Sequence, residues 1–257
     1  MNKQRQTQKI ALITGGSRGL GRNTAESLAG KGVDCVITYH SQADEARATV
    51  AAIQAQGRKA VALQLDTAVV GSFDRFAETF KSALLDTWDR ERFDFLINNA
   101  GISHHNSIEK TTEAELDALY NVHFKGVFFL TQKLLPLIND GGRIINVSSG
   151  LTRIILPGSA PYGSMKGAIE VLSKYMAKEL GPRRITVNVV APGAIATDFS
   201  GGVVRDNPDV NKRVADMTAL GRAGLPDDVG PMIASLLSED NRWVNAQRIE
   251  VSGGMSI

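Results

Sequence analysis

The sequence predicts a single-domain α/β fold organised as a doubly wound parallel sheet with helices on both faces. Three observations predict it. Short apolar runs alternate with amphipathic stretches along the whole chain, and the first run breaks into a glycine cluster that opens a helical pattern. The 257 residues suffice for one large open sheet, with no linker, low-complexity tract or internal repeat beyond the β/α alternation. Apolar residues make up 43% and charged residues 22%, a globular balance that excludes disorder. The 29 basic and 27 acidic residues leave a formal charge of +2, which gives no electrostatic case for nucleic acid. Met1 to Gln8 reads as a polar, flexible tail without a signal-peptide core, and 9–257 as the domain. No apolar run approaches the ~20 residues of a membrane span. One cysteine, Cys35, lies in an apolar run as a buried thiol, so a reducing cytoplasmic setting is expected.

Lys9 to Thr14 is a short apolar run and predicts a buried strand. It passes at once into Gly15-Gly16-Ser17-Arg18-Gly19-Leu20-Gly21, then into a helix through Ala25, Leu28 and Ala29 that stops near Gly30 and Gly32. Strand, glycine turn and helix open a dinucleotide-binding unit. Glycines lack Cβ atoms, so the backbone turns sharply and a pyrophosphate can approach the helix N-terminus. The spacing, Gly-x-x-x-Gly-x-Gly, differs from the commoner Gly-x-Gly-x-x-Gly.

Val33 to Tyr39 predicts the second strand, whose end meets the adenosine ribose in such a fold. An acid there suits the free hydroxyl of NAD, yet Tyr39-His40-Ser41 follows with no acid before Asp44. Arg18 can approach the same place, so the pocket favours NADP(H), with NAD(H) left open. Gln42 to Gln56 is an alanine-rich helix, and Lys59 to Leu65 the third strand. Asp66 either caps the next helix or lines an adenine pocket. Ser72 to Asp86 is amphipathic through Phe73, Phe76, Phe80 and Leu84, a core-packing pattern. A charged connection around Trp88 leads to strand four, Phe93 to Asn98, which ends in Asn98-Asn99-Ala100-Gly101. His104 and His105 have no cysteine or carboxylate at ligand spacing, so no metal is expected.

Thr111-Thr112-Glu113-Ala114-Glu115 starts a helix with a capping box, running through Leu119, Val122, Val127 and Leu130 to about Pro136. Asn121 and Gly126 are ill suited to its interior. Gly141-Gly142 marks a turn before strand five, Arg143 to Val147, which delivers Ser148 and Ser149. Tyr162 and Lys166 stand four apart and share a helix face. A cation beside a phenol lowers its pKa, which would let Tyr162 exchange a proton near neutral pH. Gly181-Pro182 ends that helix, Ile185 to Val190 is strand six, and Pro192-Gly193 follows. Phe199 to Met217 reads as a mobile, polar segment suited to a lid or an ordinary loop. Pro226 to Leu237 is a helix and Arg248 to Val251 the last strand.

Taken together, Thr14-Gly15-x-x-x-Gly19-x-Gly21, Asn98-Asn99-Ala100-Gly101, Asn121, Ser149, Tyr162-x-x-x-Lys166 and Pro192-Gly193 resemble the short-chain dehydrogenase/reductase family from about Lys9 to Met255. Members acting on 3-oxoacyl-carrier-protein substrates or glucose are similar. The resemblance implies a Rossmann fold with a seven-stranded parallel sheet, usually in a homotetramer. It implies that Tyr162 is the general acid in reduction and the base in oxidation. Ser149 would hold the substrate oxygen, Lys166 would lower the Tyr162 pKa and bond the nicotinamide ribose, and Asn121 would anchor a relay water. Asp66 would contact adenine, Asn99, Ala100 and Gly101 would lie along the adenosine half, and Ile195 and Thr197 would bond the carboxamide. One departure is Ala246-Gln247, where the family often has Gly-Gln, in a segment that often packs between subunits.

The expected activity is NADPH-dependent reduction of a small-molecule ketone or aldehyde. The alternatives are an NAD(P)-dependent alcohol or sugar dehydrogenase and, more remotely, a nucleotide-sensing regulator. His104, Leu151, Ile155, Leu156 and Phe199 are candidates to face the substrate.

Overall fold

The computed structural model describes residues 8–257, so the expected N-terminal tail lies, apart from Gln8, outside the described residues. Among them, seven strands form one parallel sheet in the order β3-β2-β1-β4-β5-β6-β7. In chain order, β1 (Ile10–Ile13) leads to α1 (Gly19–Gly30), β2 (Asp34–Tyr39), α2 (Ala43–Ala55), β3 (Ala60–Gln64) and α3 (Phe73–Trp88). The chain returns through β4 (Phe93–Asn98), α4 (Glu113–Tyr120), α5 (Gly126–Leu134), β5 (Ile138–Val147) and α6 (Ala160–Leu180). It finishes with β6 (Thr186–Pro192), α7 (Val203–Asp206), α8 (Pro208–Asp216), α9 (Pro226–Leu236) and β7 (Arg248–Val251). The first strand is central. The chain winds outward to β3 and comes back to lay β4 on the other side of β1, so a crevice opens between their C-terminal ends.

Burial on both faces explains why these strands read as continuous apolar runs rather than alternating ones: every residue of β1 and β4 is buried. One core layer joins Ala25 and Leu28 of α1, Ile53 of α2 and Ile233 of α9 to one face of the sheet. The other joins Phe73, Phe76, Phe80 and Leu84 of α3 with Leu130, Leu134 and Ala177.

Four expectations change on contact with the tertiary structure. The helix expected from Thr111 to Pro136 begins as expected, with Thr112 and Glu115 bonding each other's backbone N–H groups. It is interrupted, however, by a π-helical turn at Asn121–Lys125. Gly126 closes that turn because a side chain there would collide with the Thr67 carbonyl. Strand β5 starts earlier, at Ile138, and absorbs Gly141-Gly142 as an irregularity in its pairing with β4. Trp88 belongs to the end of α3, where its indole N–H donates to Asp34 at 2.8 Å. The Phe199 to Met217 segment folds into a 3-10 turn and the helices α7 and α8, with Asn207 capping α8 through two backbone N–H groups. Ala246 adopts φ +58, a left-handed conformation that costs an alanine more than a glycine.

Candidate active site

A cleft of about 370 Å³ opens at the crevice between β1 and β4. Its floor is the glycine turn after β1. Gly15 has φ +63, and a side chain there would press on Ala100; one at Gly21 would collide with the Gly15 carbonyl. The turn is clamped from β4. Thr14 Oγ1 accepts from the backbone N–H of Asn99 and Ala100 at 2.9 and 3.0 Å, and Asn99 Nδ2 donates to the carbonyls of Thr14 and Gly15 at 2.9 and 3.2 Å. Asn99 thus acts on the loop itself. The N-terminus of α1 faces this cradle without a side-chain cap, which leaves backbone N–H donors for an anion.

Every residue expected on the cofactor side lines this one cleft: Gly15, Ser17, Arg18, Gly19, Leu20, Gly21, His40, Ser41, Asp66, Asn99, Ala100, Gly101, Tyr162, Lys166, Pro192, Gly193, Ile195 and Thr197. Arg18, His40 and Ser41 gather at the end of β2. The nearby carboxylate is Asp66, 3.5 Å from His40 Nε2, and its other oxygen accepts from the Ala68 N–H at 2.8 Å. Asp66 thus turns the chain after β3 and lines the cleft, and it does not cap the next helical turn, which starts at Val70. The small-residue cradle, the open helix terminus and the basic end of β2 fit a dinucleotide.

At the opposite end, α6 carries Tyr162 and Lys166 inward, 8% and 5% exposed. Lys166 Nζ lies 5.6 Å from the Tyr162 ring centroid and donates to the Val147 carbonyl at 2.8 Å. The expected electrostatics reverse here. Burial pushes the Tyr162 phenol above its usual range, opposed in part by the Ser149 hydroxyl, while burial pulls Lys166 down to about 7. In this arrangement burial favours the protonated form of the phenol.

Ser149 Oγ accepts from the Leu151 N–H at 3.2 Å and so caps a short turn, and Ser148 rather than Ser149 contributes to the cleft wall. Behind both serines sits Glu170. Its Oε1 accepts from Ser148 Oγ at 2.7 Å and from Thr152 Oγ1 and Arg248 Nε at 2.8 Å each. Asn121 is not on the cleft wall; its neighbours Val122 and His123 are, and the Asn121 carbonyl is taken by the Gly126 N–H. Of the substrate-facing candidates, Phe199 lines the cleft, its ring 6.1 Å from that of Tyr162. His104, Leu151, Ile155 and Leu156 lie outside it.

His123 and Glu170 escape a reading of the sequence. A signal for His123 exists: Leu119, His123, Gly126 and Leu130 are the buried stripe of the helical stretch, and a histidine on an apolar stripe is out of place. Glu170 offers none, because a glutamate on a long helix reads as solvated.

A family model described as Enoyl-(Acyl carrier protein) reductase matches residues 15–256. The chain belongs to the short-chain dehydrogenase/reductase family. An uncharacterized oxidoreductase of Methylorubrum extorquens is 37% identical over 96% of this chain and 97% of its own. The tetrahydroxynaphthalene reductase PfmaG of Pestalotiopsis fici is 35% identical over 96% and 91%. Among solved structures, the promiscuous reductase LugOII, which catalyses a keto-reduction in lugdunomycin biosynthesis, superimposes with a TM-score of 0.93 at 37% identity, over 98% of this chain and 100% of its own. The angucycline C-6 ketoreductase LanV, solved with bound NADP, gives 0.91 at 36% identity, over 96% and 95%. Short-chain dehydrogenase/reductase membership thus rests on nearly the whole chain.

Proposed function

We propose that this protein reduces a ketone or aldehyde to an alcohol with NADPH, using Tyr162 as the proton donor. One observation carries the reading: the buried Tyr162 phenol and the Arg18, His40 and Ser41 side chains, on a β2 end that carries no acid of its own, line one cleft. NADPH, when bound, supplies the hydride to the carbonyl carbon. The glycine turn and the α1 N-terminus would hold its pyrophosphate, Arg18, His40 and Ser41 its 2′-phosphate, and Ile195 and Thr197 its carboxamide. Tyr162 gives its hydroxyl proton to the carbonyl oxygen, which completes the alcohol. Ser149 bonds that oxygen, and Lys166 steadies the phenolate left behind.

The relatives agree in kind. Tetrahydroxynaphthalene reductase and versicolorin reductase 1 are reductases by name, and the ketoreductase LanV was solved with NADP. The Tyr162 and Phe199 rings on the cleft wall favour a flat, largely apolar substrate. Exposed apolar side chains on three helices support association with copies of itself, as a homotetramer or a dimer. These are Leu116 and Tyr120 on α4, Phe128 on α5, and Val171 and Tyr175 on α6. A cytoplasmic setting accords with the free, buried Cys35.

The test is a panel of polycyclic phenolic ketones, a 3-oxoacyl thioester, an aliphatic aldehyde, a sugar and an enoyl thioester. Each is offered with NADPH and NADH while reduced-nicotinamide absorbance is followed. Turnover of a carbonyl compound with NADPH preferred is the expected result. Turnover of the enoyl thioester alone, or faster alcohol oxidation with NAD, would overturn it.

A further inference from the structure

His123 is 1% exposed and stands on the cleft wall within the π-helical turn, a type of irregularity frequent at functional sites. Its Nε2 lies 2.8 Å from the Ile102 carbonyl and 3.3 Å from the Ile102 N–H. One nitrogen cannot donate and accept at once, and the shorter contact selects the tautomer with the proton on Nε2. Nδ1 is then a bare acceptor, and it is buried with no partner among the described residues.

The ring is packed on two sides. A side chain at Gly101 would come within 2.8 Å of His123 Cε1, so the glycine that ends β4's loop is dictated by this imidazole. On the other side the ring meets Tyr162 edge-to-face, centroids 5.2 Å apart at 88°. Burial and the neighbouring Lys166 push His123 down to about 3, so it is neutral wherever the enzyme works. An ordinary core histidine would have both nitrogens satisfied, and an apolar residue would fill the same space without an orphaned acceptor. The residue therefore does more than pack.

Resting on the reductase reading, we propose that His123 is a positioning residue. Its Nε2–H fixes the Gly101–Ile102 turn of the cofactor cleft, its ring holds the Tyr162 phenol, and its Nδ1 is kept as a buried acceptor. The cofactor loop and the proton donor are thereby tied to one side chain.

Two variants separate the parts. His123→Phe keeps a ring but loses the bond to Ile102; His123→Gln keeps a donor for Ile102 but loses the ring. For His123→Phe, NADPH binding read by nicotinamide fluorescence should weaken about fivefold or more. For His123→Gln, affinity should stay within about twofold while kcat falls about tenfold. Nitrogen NMR of the labelled imidazole should show Nε2 protonated, Nδ1 bare, and a shift of Nδ1 on adding NADPH. Variants with lowered melting temperature but wild-type binding and kcat would overturn the proposal, as would a proton found on Nδ1. If the wild type reduces no carbonyl compound, the reductase reading fails alone, because the tautomer and the binding comparison still decide the part played by His123.

Discussion

Tyr162 and Lys166 are buried together, with the ammonium 5.6 Å from the phenol ring and its hydrogen bond spent on Val147. Each group is therefore held toward its neutral form by desolvation, the phenol upward and the ammonium downward to about 7. That is the resting state of a proton donor.

Replacing Tyr162 by Phe removes the donated proton and little else, since the ring and its packing on His123 and Phe199 remain. Turnover should fall about 10²–10⁴-fold while NADPH affinity changes little. Steady-state rates beside fluorescence binding check both, and a variant with full activity would remove Tyr162 from the chemistry.

Lys166 makes stability depend on pH. Above its ordinary value of 10.5 the amine is neutral whether folded or unfolded, and burial costs nothing; below about 7 it is charged in both states and the fold bears the whole penalty. The Lys166 contribution to stability thus improves as pH rises from about 7 toward 10.5. Lys166→Met should be more stable than wild type near pH 6, lose that advantage in alkali, and be inactive. Urea denaturation across this range reads the gap; a gap that does not change with pH would deny the penalty.

Arg18 is exposed at the N-terminal edge of α1, beside His40 and Ser41 in the cleft. If its guanidinium meets the 2′-phosphate, Arg18→Ala should weaken NADPH about tenfold or more and leave NADH nearly unchanged. Dissociation constants for the two cofactors, measured side by side, decide this; equal losses would place Arg18 on the shared pyrophosphate instead.

Glu170 gathers three donors on one oxygen, from Ser148, Thr152 and Arg248, under the loop that carries Ser149. Glu170→Ala strands all three, so a loss of about 1–3 kcal/mol is expected, with kcat reduced and NADPH affinity kept. Thermal unfolding with initial-rate kinetics tests it, and unaltered kcat would confine Glu170 to stability.

The local chemistry was legible in the residues. The run from Ile10 to Ile13 could only be a buried strand, Gly15 and Gly21 could only serve a tight turn, and Thr112 with Glu115 announced a helix start, because each is decided by neighbours in the chain. Tyr162 and Lys166 were placed on one face by helical spacing alone. Burial depth, by contrast, is a property of the assembled sheet and helices. It raised the Tyr162 pKa where a lowering was expected, inserted the π-helical turn that brings His123 rather than Asn121 to the cleft, and joined Glu170 to Arg248 across 78 residues of chain. Sequence spacing reports which side chains can share a face, but desolvation and long-range hydrogen bonds exist only once β4, β5, β7 and α6 have packed.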